Sequence, residues 1–249
     1  MPLIPADLLL VNSHFLGQLL KRTLYIAKKT GVVHYGIDAA SFRPDAAKRR
    51  AFREQWDIGD KAVAVGMVGF IDSWKGQDVF LEASRSLRGM TPRIRMLVVG
   101  GPRRGSTETE CLRFEAKLHA FVAEHGLRDV ASFTGHVDVR EGALDGLDIV
   151  VHASTQPEPF GMVLLEAMSK RKAIIASAEG GPLEILRDGD GLLIPPGRPE
   201  LLAASIRMLA ADAVMREKLG QNAQCAVVER FSAESAVRLL ERHYEDTMQ

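Results

Sequence analysis

Cysteine is nearly absent: Cys111 and Cys225 are the only two in 249 residues. They lie far apart and form no C-x-x-C pair, which excludes a disulfide framework and a thiolate zinc site and suits a reducing cytoplasm. No charge of one sign prevails, Lys+Arg and Asp+Glu both numbering 32. Without a global field, nucleic acid is not an expected partner, and any anion must be bound by local charge. The seven histidines show no H-x-x-x-H or H-x-H spacing, so a metal cluster is not expected. No apolar run approaches the roughly eighteen residues of a membrane-spanning helix, and the start MPLIPADLLL lacks the basic flank and length of a secretory signal. Repeats and low-complexity tracts are missing too. A soluble cytoplasmic protein is expected, with a peripheral station at an inner membrane face left open.

What remains is an α/β pattern. Short apolar runs at 61–69, 93–100, 130–134, 147–152, 173–177 and 191–194 read as buried strands, and helical periodicity fills 45–56, 78–87 and 110–125. Further helices are expected around Arg140, Phe160 and Leu183, then at 199–210, 213–229 and 233–247, with Asp212 and Ser232 as amino-terminal caps. Phe52 and Trp56, at i and i+4, read as core. Alternating strands and helices predict a Rossmann-like doubly wound parallel sheet with right-handed crossovers, in the order 3-2-1-4-5-6, followed by extra helices. Residues 6–22 read as a strand ending at Ser13 and an amphipathic helix. Such a pair cannot bury both its faces, so it must dock on the rest of the chain or stay mobile.

In that strand order the strands ending at Gly69 and His152 are neighbours, and the chain reverses direction between them, which is where open α/β sheets bind ligands. Two loops leave this point: FIDSWKGQ and STQPEPFG. The first carries Lys75, an ammonium that can pair with phosphate, beside Gly76, which permits a tight turn. The second enters a helix at Gly161, so the amides of Gly161, Met162 and Val163 can approach an anion. Glu158 precedes that helix and Glu166 follows eight residues later, about two turns in by helix geometry. Carboxylates accept from hydroxyls, so the arrangement suits a diphosphate flanked by sugars. Asp188-Gly189-Asp190 reads as a turn rather than a metal site. Gly100-Gly101 reads as a tight turn after a strand.

The spacing from Glu158 to Glu166, embedded in PFGMVLLEAM and followed by GGPLEIL, resembles the E-x7-E motif of retaining GT-B glycosyltransferases of the glycogen synthase and mannosyltransferase type. The resemblance extends over essentially the whole chain. It implies an enzyme whose donor is a UDP-, GDP- or ADP-sugar, with no cofactor and no metal. Lys75 and the amides of residues 161–163 would hold the diphosphate, and Glu166 the ribose. Glu158 would lie by the transferred sugar, forming with Lys75 the catalytic pair. Gly69 and Phe160 belong to the same donor site, and Gly135 with His136 would meet the nucleobase through backbone, the His136 ring either stacking there or simply being exposed. Transfer would retain configuration, the departing phosphate taking the acceptor's proton. One departure stands out: the family's G-R-x(4–5)-K-G has Phe70 in place of its Arg. Arg103 or Arg104 are candidates to substitute, unless they are simply loop arginines.

The resemblance also implies domains: residues 1–44 as the end of an N-terminal acceptor domain plus linker, 45–230 as the donor domain, and 231–249 as a helix crossing back. The partners implied are a nucleotide-sugar, the rest of the acceptor domain, and a second copy through Leu8, Leu9, Leu10, Phe15 and the last helix. The chain alone is expected to bind donor without glycosylating an acceptor. Two rivals stand beside this reading: a non-catalytic nucleotide-sugar-binding module, favoured by Phe70 and the short amino-terminal part, and a GT-B UDP-sugar epimerase.

Overall fold

The computed structural model of the chain describes residues 6–23, 29–105, 107–137 and 142–248. Two parallel sheets form. The small one pairs β1 (Leu8–Val11) with β2 (Lys29–Val32), Leu8 opposite Lys29. The large one holds β3 (Val63–Val68), β4 (Ile94–Val99), β5 (Ala131–Gly135), β6 (Ile149–His152), β7 (Ala173–Ser177) and β8 (Leu192–Ile194) in the order β5-β4-β3-β6-β7-β8. Numbered within that sheet, this is the expected 3-2-1-4-5-6. The helices are α1 (His14–Thr23), α2 (Ala46–Gln55), α3 (Gln77–Ser84), α4 (Glu108–Glu124), α5 (Ala143–Gly146), α6 (Met162–Ser169), α7 (Pro182–Ile185), α8 (Pro199–Ala211), α9 (Ala213–Arg230) and α10 (Ala233–Met248).

The central strands are apolar at nearly every position because helices cover both faces. Val63, Val65 and Met67 of β3 join Ile94, Met96 and Val98 of β4 on one side, against Phe80, Leu118 and Leu202 from α3, α4 and α8. The intervening Ala64, Leu97 and Val99 face the opposite layer, with Phe52, Leu147, Leu164 and Val227. Each large side chain buried this way contributes about 1.5–3 kcal/mol. Edge strands β5 and β8 are only partly buried. Phe52 is core as expected, with Trp56 packed beside it.

A charged frame closes the amino ends of β3, β6 and β7. The Asp148 carboxylate accepts from Arg49 (2.7 Å), Arg53 (3.1 Å) and the Ala64 amide (2.8 Å). Arg53 also donates to the carbonyls of Gly59 and Ala62, and Lys172 to those of Asp145 and Leu147. Lys170 pairs with Asp145 at 2.7 Å. Burial, reinforced by the Arg49 charge, pushes the Lys172 ammonium down to about 8.

The amino-terminal residues dock, as one of the two expectations had it. The amides of His14 and Phe15 donate to the two carboxylate oxygens of Glu184 (2.9 and 2.8 Å), so a residue far away in sequence caps α1. Ile37 exchanges backbone hydrogen bonds with Phe231 and Ala233 at the start of α10. The caps expected at Asp212 and Ser232 form, accepting from the amides of Met215 and Ser235. The helix expected around Arg140 lies outside the described residues, and the next helix along the chain is the single turn of α5. Another expectation needs correcting. Glu166 is only the fifth residue of α6, not two turns in, because residues 158–161 are still loop.

Candidate functional site

Neighbouring strands β3 and β6, Val65 opposite Ile149, release their loops at the same edge. The β3 loop makes one tight turn, Ser73–Lys75, and leaves it through Gly76 at φ 84°. A Cβ there would stand 2.0 Å from the carbonyl oxygen of Ala153, so only glycine lets this loop cross the end of β6. The Thr155 amide and hydroxyl both donate to the Trp74 carbonyl (2.8 and 3.2 Å). These bonds stitch the two loops into one wall. Between them opens a cleft of about 460 Å³, lined by Phe70, Asp72, Trp74, Lys75, Arg103 and residues 156–159.

Lys75 reaches into this cleft with its ammonium 4.0 Å over the Trp74 ring and 2.5 Å from Glu158 Oε2. The same carboxylate oxygen lies 3.3 Å from His152 Nε2 and 3.5 Å from Ser154 Oγ. Burial pushes the Glu158 carboxyl up, but the His152 hydrogen bond and the charge and hydrogen bond of Lys75 outweigh it and bring it down to about 2. The backbone of Glu158 is held as well, its carbonyl accepting from the Gly181 amide at 2.7 Å. A side chain at Gly181 would meet the Phe160 carbonyl oxygen at 2.2 Å. The second glycine-rich segment, GGPLEIL, thus clamps the loop that carries Glu158.

The amino end of α6 opens beside this pair. Gly161, at φ 107°, precedes the helix without a side-chain cap, so the first amides of α6 have no acceptor within the helix or from a capping side chain. Met162 is exposed there, and Val163 and Glu166 are half-buried. Phe160 differs from its expected place in the donor site: its ring is 2% exposed, turned into the core against His34, Tyr35 and Phe231. Only its backbone can border a ligand. Gly69, Gly135 and His136 lie at the ends of β3 and β5, joined across β4 by hydrogen bonds from Gly69 to Val99 and from Gly100 to Gly135; His136 is exposed. Arg103, and not Arg104, lines the cleft, its guanidinium 3.8 Å from Asp72. The place left by Phe70, itself exposed at the rim, has a cation close by from the neighbouring loop.

His152, Ser154 and Trp74 were missed by sequence reasoning. The signal for His152 was present: a titratable residue closing an otherwise apolar strand at the switch point. Asp190 was read correctly as part of a turn, its carboxylate taken up by Arg230 and by the Arg187 amide. Proximity also reveals what spacing hid, since His14, His34 and Glu184 place ligand atoms within 4.8 Å of one another. The Glu184 carboxylate is spent on the α1 amides and on His34 at 2.9 Å, next to the positive end of a helix, where a cation is disfavoured.

Residues 48–225 match the family described as glycosyl transferases group 1. The chain belongs to this glycosyltransferase family. A D-inositol 3-phosphate glycosyltransferase of Stackebrandtia nassauensis is 31% identical over 78% of this chain and 44% of its own length. An alpha-D-kanosaminyltransferase of Streptomyces kanamyceticus is 26% identical over 76% of this chain and 47% of its own. The chain therefore spans about half the length of the curated relatives it matches. Among solved structures, Anabaena Alr3699/HepE in complex with UDP and glucose superposes with a TM-score of 0.87 at 25% identity, covering 96% of this chain and 63% of that one. The C-terminal domain of the Francisella tularensis group 1 glycosyltransferase LpcC, solved by itself, superposes with a TM-score of 0.69 at 28% identity, covering 79% and 99%. The sheet is thus the Rossmann-like half of a GT-B fold. Among the described residues, no helix of the chain is long and apolar enough to cross a membrane.

Proposed function

We propose that the cleft binds the nucleoside-diphosphate sugar donor of a retaining glycosyltransferase, without a metal. One observation carries this: a cation, an uncapped helix start and a largely buried carboxylate bonded to that cation converge where β3 and β6 end. Lys75 and the amides of Gly161 to Val163 take the diphosphate, with Arg103 as a second cation in place of the one that Phe70 lacks. Phosphate oxygens gain charge as the sugar departs, and donors already aimed at them stabilise that state without reorganising. Glu166, one turn into α6, accepts from the ribose; Glu158, ionised, accepts from hydroxyls of the transferred sugar. Gly69, Gly135 and His136 border the nucleobase. The acceptor oxygen bonds to the anomeric carbon on the face from which the phosphate departs, and that phosphate takes the acceptor's proton, so configuration is retained. The acceptor's side of the site would come from a segment corresponding to the half of the relatives that this chain does not match. Residues 29–44, tied to the start of α10 through Ile37, would be that segment's continuation onto the donor domain.

Calorimetric titration of the chain with UDP, GDP and ADP, each in EDTA, tests the reading. One of the three should bind, and Glu166→Ala should weaken it whether or not a sugar is attached. Binding that vanishes with chelator and returns with manganese would sink the metal-free site. Sugar transfer at ordinary turnover by this chain alone would show that the acceptor side is already present.

A further inference from the structure

We propose that His152 is a positioning residue for Glu158, the partner that keeps this carboxylate ionised and aimed when Lys75 turns to the donor's diphosphate. The inference rests on the donor-binding reading above and names a residue that this reading does not use. Among the described residues, Glu158 Oε2 has three hydrogen-bonding neighbours: Lys75 Nζ at 2.5 Å, His152 Nε2 at 3.3 Å and Ser154 Oγ at 3.5 Å. Lys75 faces the cleft with its side chain 24% exposed, so a diphosphate entering there competes directly with Glu158 for the ammonium. The free site is a catch, closed on itself.

Once Lys75 is drawn to phosphate, Glu158 would be left mostly buried, its side chain only 12% exposed. A buried carboxylate without donors takes up a proton, and a protonated carboxyl loses acceptor capacity for sugar hydroxyls. His152 prevents this, with the Ser154 hydroxyl at 3.5 Å as a longer second donor. It is 5% exposed, sits on β6 opposite Ala176 and cannot swing away. Its Nε2 also lies 3.3 Å from Ser154 Oγ, and its Nδ1 is buried with no partner among the described residues. All the hydrogen bonding of this imidazole is therefore directed at the Glu158 end. Only the tautomer with hydrogen on Nε2 can donate to the carboxylate. Packing alone does not account for the residue, since Phe or Leu would fill the same place without burying an unpartnered nitrogen.

The test compares wild type, His152→Phe and His152→Gln, titrated with whichever of UDP, GDP or ADP binds best and with its glucose or mannose conjugate. Phe removes the donor, whereas Gln returns an N–H close to the position of Nε2. His152→Phe should lower the preference for the sugar-bearing form by about tenfold, with the diphosphate constant within about twofold of wild type, and His152→Gln should recover most of the loss. An unchanged ratio in a folded His152→Phe, or an equal drop for both ligands, overturns the proposal. Should His152→Phe fail to fold, imidazole nitrogen resonances of wild type decide: Nε2 must carry the proton, free and with diphosphate bound, and proton-free Nε2 overturns it. Absence of binding by all three nucleotides ends the donor reading and this proposal with it. Binding with an unchanged ratio ends this proposal alone.

Discussion

The two ends of the large sheet each hold buried charge, and they hold it differently. At the amino ends of the strands, Asp148 has two arginines and an amide, and Arg53 and Lys172 each also donate to two or more main-chain carbonyls. Every partner there is fixed by the fold. At the carboxyl ends, Lys75 and Glu158 hold each other through side chains alone, one face open to the cleft and the Nε2 of His152 beside the carboxylate. Backbone-anchored charges cannot be exchanged without unfolding something, whereas a pair of side chains at a cleft can trade partners for a ligand. The contrast separates charge that specifies the fold from charge available for binding.

Breaking the structural end should have the largest effect. Asp148→Ala leaves Arg49 and Arg53 facing each other without a carboxylate and should cost about 3–5 kcal/mol, read from the urea midpoint, while nucleotide affinity of the folded fraction stays unchanged. Lys172 gives the same end a pH signature. Below pH 8 both folded and unfolded chains carry its proton and the folded state bears the burial cost. Between about 8 and 10.5 only the unfolded chain still binds the proton, so stability should rise there by about 1.4 kcal/mol per pH unit relative to Lys172→Met. A flat difference across that window would mean that Lys172 is well solvated. At the other end, Lys75→Met should weaken nucleoside diphosphate by about tenfold to a hundredfold, with a smaller stability loss than Asp148→Ala. The smallest effect is expected from Arg103→Ala, roughly two- to fivefold in affinity, because its guanidinium is largely exposed. If Arg103→Ala matched Lys75→Met, the cleft would be more enclosed by its ligand than its walls suggest.

Much of this was legible beforehand because parallel sheets announce themselves as unbroken apolar runs, and the strand order then follows from right-handed crossovers. Lys75, Glu158 and Glu166 could be placed for the same reason, as residues in loops and a helix start leaving the switch point. What escaped was set by tertiary contact. Nothing in the sequence pairs Lys75 with Glu158 or turns Arg103 toward Asp72, since each reaches across separate loops. Glu184 looked like part of a glycine-rich motif and instead caps a helix 169 residues away in sequence. Phe160 was placed at the donor because the motif is read as a string, yet the α6 entry turns its ring inward. The shift of Glu166 came from counting helix turns through residues that are still loop.

That inward ring has a mechanical consequence. His34 stacks on Phe160 with ring centres 5.7 Å apart, and Tyr35 meets it edge-on at 5.4 Å, so the irregular segment leaving the small sheet rests on a residue two positions from Glu158. Any swivel of the small sheet against the large one must slide these rings over one another and drag the loop on which the carboxylate rides. Orientation of the amino-terminal segment and aim of the Glu158 carboxylate are geared together, and the half-exposed Tyr35 is the tooth at which that gearing is visible from solvent.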